Sequence, residues 1–334
     1  MPSSRITAVP TNIITGFLGV GKTSAILHLL RYKPDNERWA VLVNEFGEIG
    51  VDGSLLQGRH AEANGVFVRE VPGGCMCCTA GLPMQIALNQ LLAKARPERL
   101  LIEPTGLGHP LEVLQSLSAE HYRDVLSVNR TVTLVDARKL MDTRYTGHTT
   151  FNQQIAMADV VVGNKQDLYG PEDKPRLEAY VHDHGAPGAT VTFSEHGTLE
   201  PAWLEGPATA PVDGHHHHHQ APPSEATAGN SPIPDGGFLR ATNEGEGYES
   251  VGWRFDANGV FDHQKLFAFL SGLDAERMKA VFITDNGVFG YNLTSDSLTE
   301  IPLDDALESR IEIIAPKVDP DWERQLLETM GTEN

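Results

Sequence analysis

Cysteine is scarce: the 334 residues hold three, all within Cys75–Cys78. That is too few and too bunched for a disulfide framework, so a reducing, cytoplasmic compartment is expected. Basic residues are also short. Twenty-six Lys and Arg face 45 Asp and Glu, a formal charge of -19. A surface of that sign repels a phosphate backbone, and no local basic patch offsets it, so no nucleic-acid partner is expected. Long apolar runs are missing too. Ile13–Val20 is interrupted by Gly16 and Gly19, and falls far short of the ~20 residues of a membrane-spanning helix. No membrane partner is expected. No basic stretch with a small-residue cleavage site precedes that run, so a secretory signal is not expected either. What the chain does have is 40% hydrophobic residues, ample for a sizeable core, and a length suited to about two domains.

The first two hundred residues alternate short apolar runs with helical patterns. Asn12–Thr15, Trp39–Asn44, Val66–Val71, Leu100–Glu103, Thr131–Val135, Val160–Gly163 and Thr190–Phe193 are mostly β-branched and uninterrupted. Such runs read as strands buried on both faces. Between them, Ala25, Ile26, Leu29 and Leu30, and then Met84, Leu88, Leu91, Leu92 and Ala95, recur at helical spacing. Alternation of this kind predicts a mainly parallel sheet covered by helices. From about Leu204 to Gly237, Pro, Ala, Gly, Ser and Thr dominate around His215–His219. This stretch predicts a disordered linker, because it cannot bury enough apolar surface to offset the entropy of ordering. A smaller α+β unit follows. Glu249–Phe255 reads as a strand, Asp262 as the cap of a helix carrying Leu266, Phe267 and Leu270, and Asn286-Gly287 as a hairpin turn. Arg310–Ala315 reads as a further strand, and Asp319-Pro320 opens a last helix. The expected division is 1–203, 204–237 and 238–334.

Gly16-Phe17-Leu18-Gly19-Val20-Gly21-Lys22-Thr23, followed by Ser24, fits G-x-x-x-x-G-K-[ST] at every fixed position. Each residue type has its own reason to be there. Glycines let backbone N–H groups turn inward around a β-phosphate. Lys22 can reach the β- and γ-phosphates, and the Thr23 hydroxyl can ligate Mg²⁺. A helix starting near Lys22 aims its positive dipole end at the same anions. The fold class expected is therefore α/β: a P-loop NTPase followed by a small α+β domain.

Asn164-Lys165-Gln166-Asp167 follows the apolar run ending at Gly163. An N-K-x-D loop suits guanine, since one carboxylate accepts from both N1–H and the 2-amino group, a pattern adenine cannot supply. The Lys165 stem can lie along the base, and Asn164 can tie the loop together or meet the base edge. GTP or GDP is thus the expected nucleotide. Leu100-Leu101-Ile102-Glu103-Pro104-Thr105-Gly106 ends a strand with a carboxylate able to hold the Mg²⁺ shell, and Gly106 can approach the γ-phosphate. Asp136 is a second acidic strand end near the same edge.

Gly73-Gly74-Cys75-Met76-Cys77-Cys78-Thr79 puts three soft ligands in four residues on a glycine-loosened loop. That suits a d-block cation such as Zn²⁺. Adjacent Cys77 and Cys78 are poorly placed to grip one ion together, so a ligand from elsewhere is expected, with Glu45, Glu48 and a histidine as candidates. A structural zinc would want a second cysteine pair. A redox pair finds its usual spacing only in Cys75 and Cys78, and Met76 leaves Cu(I) open. The His215–His219 run can buffer metal loosely without specifying one.

Together these segments resemble the CobW-type metallochaperone GTPases. The likeness rests on Ile14–Gly19, Val43-Asn44-Glu45-Phe46-Gly47-Glu48, Gly74–Thr79, the E-x-x-G of Glu103–Gly106 and Asn164–Asp167. It covers Thr11 to about Leu168 closely, and extends in outline to Tyr248–Ala315. One departure is Pro104, where relatives often carry Thr or Ser. The resemblance implies a GTPase, slow when isolated, that binds a transition metal and delivers it to a client metalloprotein. Zinc is the metal most often implied, with cobalt or iron insertion as the alternative within the family. A GTP-regulated sensor or storage protein is the reading of another class. On the expected assignment Lys22, Thr23, Glu103 and Glu45 serve hydrolysis, and Cys75, Cys77, Cys78 and Glu45 hold the metal. The chain is expected to act as a monomer or as a metal- or nucleotide-dependent homodimer.

Overall fold

The β-branched runs of the first two hundred residues pair side by side, and every pairing among them is parallel. The structure is a computed structural model. It describes residues 6–43, 64–71, 82–106, 108, 110–209, 233, 237–245, 247–294, 296–303, 306 and 308–331, which fall into two compact units.

In the first unit the strands are β1 (Val9–Gly16), β2 (Trp39–Val43), β3 (Val66–Glu70), β4 (Arg99–Glu103), β5 (Leu126–Val128), β6 (Val132–Val135), β7 (Val160–Gly163) and β8 (Thr190–Phe193). They lie in the order β3-β2-β4-β1-β6-β7-β8, with β5 beside the first half of β1. β2, β4, β6 and β7 are almost wholly buried, as expected for strands covered on both faces. The helices are α1 (Lys22–Arg31), α2 (Leu82–Ala95), α3 (Pro110–Leu117), α4 (Thr143–Thr146), α5 (Thr149–Ala156) and α6 (Asp173–His184). The helical spacings in the sequence point inward as expected: Ala25, Ile26, Leu29 and Leu30 are buried on α1, and Met84, Leu88, Leu91, Leu92 and Ala95 on α2. Strand β5 was not expected, because three residues are too few to show a period.

The amino-end edge of this sheet is stitched by polar side chains. Asn12 on β1 donates through Nδ2 to Arg130 O (2.9 Å) and Leu204 O (2.8 Å), while its Oδ1 accepts from Arg99 Nη1 (2.9 Å). The Asp159 carboxylate accepts from Thr131 N (2.8 Å), from Thr209 N (2.9 Å) and from the Thr209 hydroxyl. Leu204–Thr209 is therefore held against the first unit, although its composition reads as the start of a linker. Its bonds reach residues far away in the chain, so no local pattern reports them.

The second unit is an antiparallel sheet in the order β13-β12-β11-β14-β10-β9, formed by β9 (Phe238–Gly245), β10 (Tyr248–Asp256), β11 (Arg277–Thr284), β12 (Gly287–Leu293), β13 (Leu298–Leu303) and β14 (Glu308–Ala315). Helices α7 (His263–Ser271) and α8 (Trp322–Leu327) carry Leu266, Leu270, Trp322 and Leu326 into one core with Val251, Trp253, Phe255 and Ile313. Asp262 caps α7 through Lys265 N at 3.0 Å, and Asn286-Gly287 joins β11 to β12, both as expected. Phe267, read as part of the apolar helix pattern, points outward. Strands β9 and β13 escaped the sequence reading because Asn243-Glu244-Gly245 and Pro302 interrupt them with residues that disfavour sheets.

Asp159 offers a test of the stitching. Asp159→Ala strands the buried N–H of Thr131 and removes the bonds to the exposed Thr209, and should lower stability by about 1–3 kcal/mol. Asp159→Asn, which keeps an acceptor, should cost about half as much. Urea unfolding of the three proteins measures both.

Candidate functional site

β1 delivers the chain into the Gly16–Thr23 turn at the carboxyl edge of the sheet, and α1 leaves it. Gly21 caps α1 in the left-handed region at φ 94°, with no side chain competing for the first helical N–H groups. A Cβ there would stand 2.6 Å from Asn164 Nδ2, so only glycine allows this approach. Lys22 is almost wholly buried, and its Nζ donates to Phe17 O at 3.3 Å, folding the ammonium back over the turn. Val20 is buried and Ser24 exposed. The Phe17 ring is fully buried in an aromatic floor, with centroids 4.9 Å from Tyr145, 4.8 Å from His148 and 6.0 Å from Phe151. That floor belongs to α4 and α5 and holds the turn from below.

The Thr23 hydroxyl donates to Glu103 Oε1 at 3.1 Å, and both side chains are buried. A hydroxyl and a carboxylate in contact at the end of β4 form the oxygen pair that a hard divalent cation takes. Gly106 follows three residues later. A Cβ on it would lie 3.1 Å from Lys22 Nζ and 3.2 Å from Leu18 N, so its missing side chain leaves room beside the lysine. The Lys22, Thr23, Glu103 and Gly106 arrangement therefore fits a nucleoside phosphate with its metal.

The N-K-Q-D loop sits across the turn. Asn164 Nδ2 donates to Val20 O (2.8 Å) and its Oδ1 accepts from Gly197 N (3.1 Å). Of the two roles open to it in the sequence, this is the one that ties loops together. Lys165 takes a left-handed backbone at φ 62°, with Nζ 4.0 Å from Asp136 Oδ2. Asp167 is exposed. Asp136 is already engaged: it accepts from Arg138 Nε (2.9 Å) and Nη2 (2.5 Å) and caps the 3-10 turn Ala137–Met141.

Sequence reasoning missed two supports of this loop. The Tyr169 hydroxyl donates to Asn164 O (2.6 Å), lies 3.2 Å from Val135 O, and accepts from Ala137 N (3.0 Å). Burial pushes that phenol far above its ordinary range. The second support is Ser194–Gly197. Ser194 N donates to Gly163 O, Gln166 N donates to Ser194 O, and Gly197 packs against the first turn of α1. Neither support carries a recognisable motif, although both touch the N-K-x-D loop itself: Tyr169 at Asn164 O, and Ser194 and Gly197 at Gln166 N and Asn164 Oδ1.

Glu45, Glu48, Cys75, Cys77, Cys78 and His215–His219 lie outside the described residues. The strand ends leading to them are described. Val43 on β2 is in register with Glu70 on β3 and with Glu103 on β4, and Val71 N donates to Val43 O at 2.9 Å. Glu45 thus stands two residues beyond Val43, and Cys75 four beyond Val71. Four residues of extended chain reach about 14 Å at most. Among the described residues, no group of three His, Cys, Asp or Glu is placed to hold a metal, and no helix is long and apolar enough to cross a membrane.

The model for the nucleotide-binding domain of CobW, HypB and UreG matches residues 10–191. The zinc chaperone YeiR of Escherichia coli (strain K12) is 40% identical over 317 residues, 93% of this chain and 94% of that protein. The zinc chaperone CobW of Pseudomonas aeruginosa is 29% identical over 226 residues, 60% of each chain. The solved Zn(II)-bound YjiA GTPase from E. coli aligns over 96% of this chain and 98% of its own, at 21% identity and a TM-score of 0.45.

One titration follows from the loop's anchorage. His28 on α1 accepts from Leu199 N through Nδ1 (3.3 Å), just beyond Ser194–Gly197. Burial, and then the neighbouring Arg31, lower its pKa from the ordinary 6.5. The unfolded chain therefore takes up the proton first. The contribution is complete above pH 6.5 and is lost as pH falls through the lowered folded value. Urea unfolding between pH 5 and 8 should show stability dropping on the acid side, and His28→Gln should flatten that part of the profile.

Proposed function

The chain belongs to the CobW/HypB/UreG family, and from that premise we propose that it is a GTP-hydrolysing metallochaperone that takes up a transition metal, zinc first, and passes it to a client protein. One observation carries the reading. The buried Thr23–Glu103 contact and the strand ends leading to Glu45 and Cys75 meet at one sheet edge, through the register of Val43 with Glu70 and Glu103.

The roles follow from position. N–H groups of Gly16, Gly19, Val20, Gly21, Lys22, Thr23 and Ser24 surround the phosphates, and the Lys22 ammonium, freed from Phe17 O, balances charge on the β- and γ-phosphates. Mg²⁺ supplies charge neutralisation to the phosphates when bound, and Thr23 and Glu103 are the residues that hold it. Gly106 meets the γ-phosphate. Lys165 and Asp167 take guanine, with Asn164 tying their loop to the phosphate turn. Cys75, Cys77 and Cys78 hold zinc as cargo, and Glu45 serves as a further ligand and in hydrolysis. The protein acts in the cytoplasm as a monomer or a metal- or nucleotide-dependent homodimer. Its client is a metalloprotein awaiting its ion.

Coupling is reciprocal: whatever factor GTP adds to zinc affinity, zinc adds to GTP affinity. Reduced protein is titrated with Zn²⁺ against a competing chelator, with a GTP analogue and Mg²⁺, with GDP and Mg²⁺, or with neither. One equivalent should bind more tightly with the GTP analogue. It should vanish in the Cys75→Ala, Cys77→Ala, Cys78→Ala triple variant and survive deletion of His215–His219. Equal affinity in all three states overturns delivery. Several equivalents that disappear with the histidine run favour storage instead.

The base assignment has its own test. Asp167→Asn removes the acceptor for the guanine N1–H and 2-amino pair and offers a donor that suits the 2-oxo group of xanthine. Preference between GDP and xanthosine diphosphate should invert in competition binding.

A further inference from the structure

Helix α5 contacts both walls of the phosphate site. On one side Phe151 and the capping residue His148 pack on Phe17 of the phosphate turn. On the other, Gln154 reaches the segment that ends in Gly106. The Gln154 side chain is 1% exposed, and its Nε2 donates to Gly106 O at 3.0 Å. The amide orientation is fixed by chemistry, because only the nitrogen can donate to a carbonyl. The helix is itself anchored at this residue, since Thr133 Oγ1 on β6 donates to the Gln154 backbone carbonyl at 2.9 Å.

The stretch that Gln154 grips is incompletely satisfied. Gln154 Oε1 and Thr105 Oγ1 are both buried with no hydrogen-bond partner among the described residues. Buried polar atoms normally find partners, so each of these two has hydrogen-bonding capacity to spare beside the Gln154–Gly106 contact. Gly106 is the residue beside Lys22 Nζ. GTP and GDP differ only at the γ-phosphate, so whatever sets the distance from Gly106 to Lys22 acts on that difference.

Resting on the GTPase reading above, we infer that Gln154 is a positioning residue for the γ-phosphate end of the site. It touches no reacting atom. By holding the Gly106 carbonyl it fixes how closely Gly106 stands to Lys22, and α5 refers that position to the phosphate turn through Phe151 and Phe17. Its contribution appears in the discrimination of GTP from GDP and in turnover, while the grip on the base and on the β-phosphate is independent of it.

The test uses the full chain with Gln154→Met, which keeps length and volume but donates nothing, and Gln154→Glu, which keeps shape and turns an acceptor toward the carbonyl. Dissociation constants for GDP and for a non-hydrolysable GTP analogue, and kcat for GTP, are measured for each and for the wild type. In the Met variant GDP affinity should stay within about two-fold, while analogue affinity falls about five-fold or more and kcat falls with it. The Glu variant should lose more. Equal loss for both nucleotides, or loss for neither, overturns the inference, since a merely structural residue gives the first and an idle one the second. Unchanged GDP binding reports that the variants fold. Should both unfold, the Gln154 side-chain amide resonance of the wild type decides: it should shift between the GDP and analogue states, and a constant signal overturns the proposal. Failure of the wild type to bind guanine nucleotides is a separate outcome, which overturns the GTPase reading and this inference with it.

Discussion

A chain with a formal charge of -19 that takes up a nucleoside triphosphate must gather a polyanion against its own field. The means are dipoles and one ammonium: the start of α1, opened by Gly21, and the buried Lys22. A buried lysine is costly unless its charge is met, and backbone carbonyls such as Phe17 O meet it only in part. Arriving phosphates complete that pairing, so the desolvation of Lys22 sharpens the site for anions. Contacts from several elements of the first unit hold that turn in place.

Rigidity comes from three directions. The aromatic floor of Tyr145, His148 and Phe151 seats Phe17 below the turn. Asn164 pins Val20 from the side and Gly197 from above, and Tyr169 holds Asn164 in turn. The strand order places β1 between β4 and β6, so the chain leaves the sheet centre with neighbours on both flanks. In doubly wound sheets that carboxyl edge is where ligands sit. The amino-end edge does the opposite job. There Asn12 and Asp159 close the sheet against Leu204–Thr209, and nothing on that side needs to move.

How much of this was legible depended on distance along the chain. Strands β2, β4, β6 and β7 announce themselves as unbroken apolar runs, and the phosphate turn and N-K-x-D loop as fixed spacings of particular residue types. Strand β5, three residues long, and β13, with Pro302, give no period to read. Tyr169, the Ser194–Gly197 loop and Gln154 are invisible for another reason. Gln154 meets Gly106 48 residues away and Gly197 meets Asn164 33 away, while Tyr169 is only five residues from Asn164 but a lone tyrosine marks no motif. A glutamine on an amphipathic helix looks the same whether it faces water or a glycine carbonyl. Only the packing of α5 beneath the site tells them apart.

The two halves of the proposed function ask for opposite ligand chemistry at neighbouring strand ends. Thr23 and Glu103 are hard oxygen donors suited to Mg²⁺, while the three thiolates after β3 are soft donors suited to zinc. Such sites resist exchanging their ions, so they can sit close without cross-loading. Closeness is also what coupling needs. β2 is paired to both β3 and β4, and Val43 stands in register with Glu70 and Glu103. A shift at Glu103 when the phosphates change therefore has one strand to cross before it meets the chain leading to Cys75. On the proposed reading, three thiolates within four residues make an incomplete set, and an incomplete set is what a cargo site requires. A closed four-ligand cage would hold zinc against any client. A ligand set completed in one nucleotide state and opened in the other binds tightly enough to load and loosely enough to give the ion away.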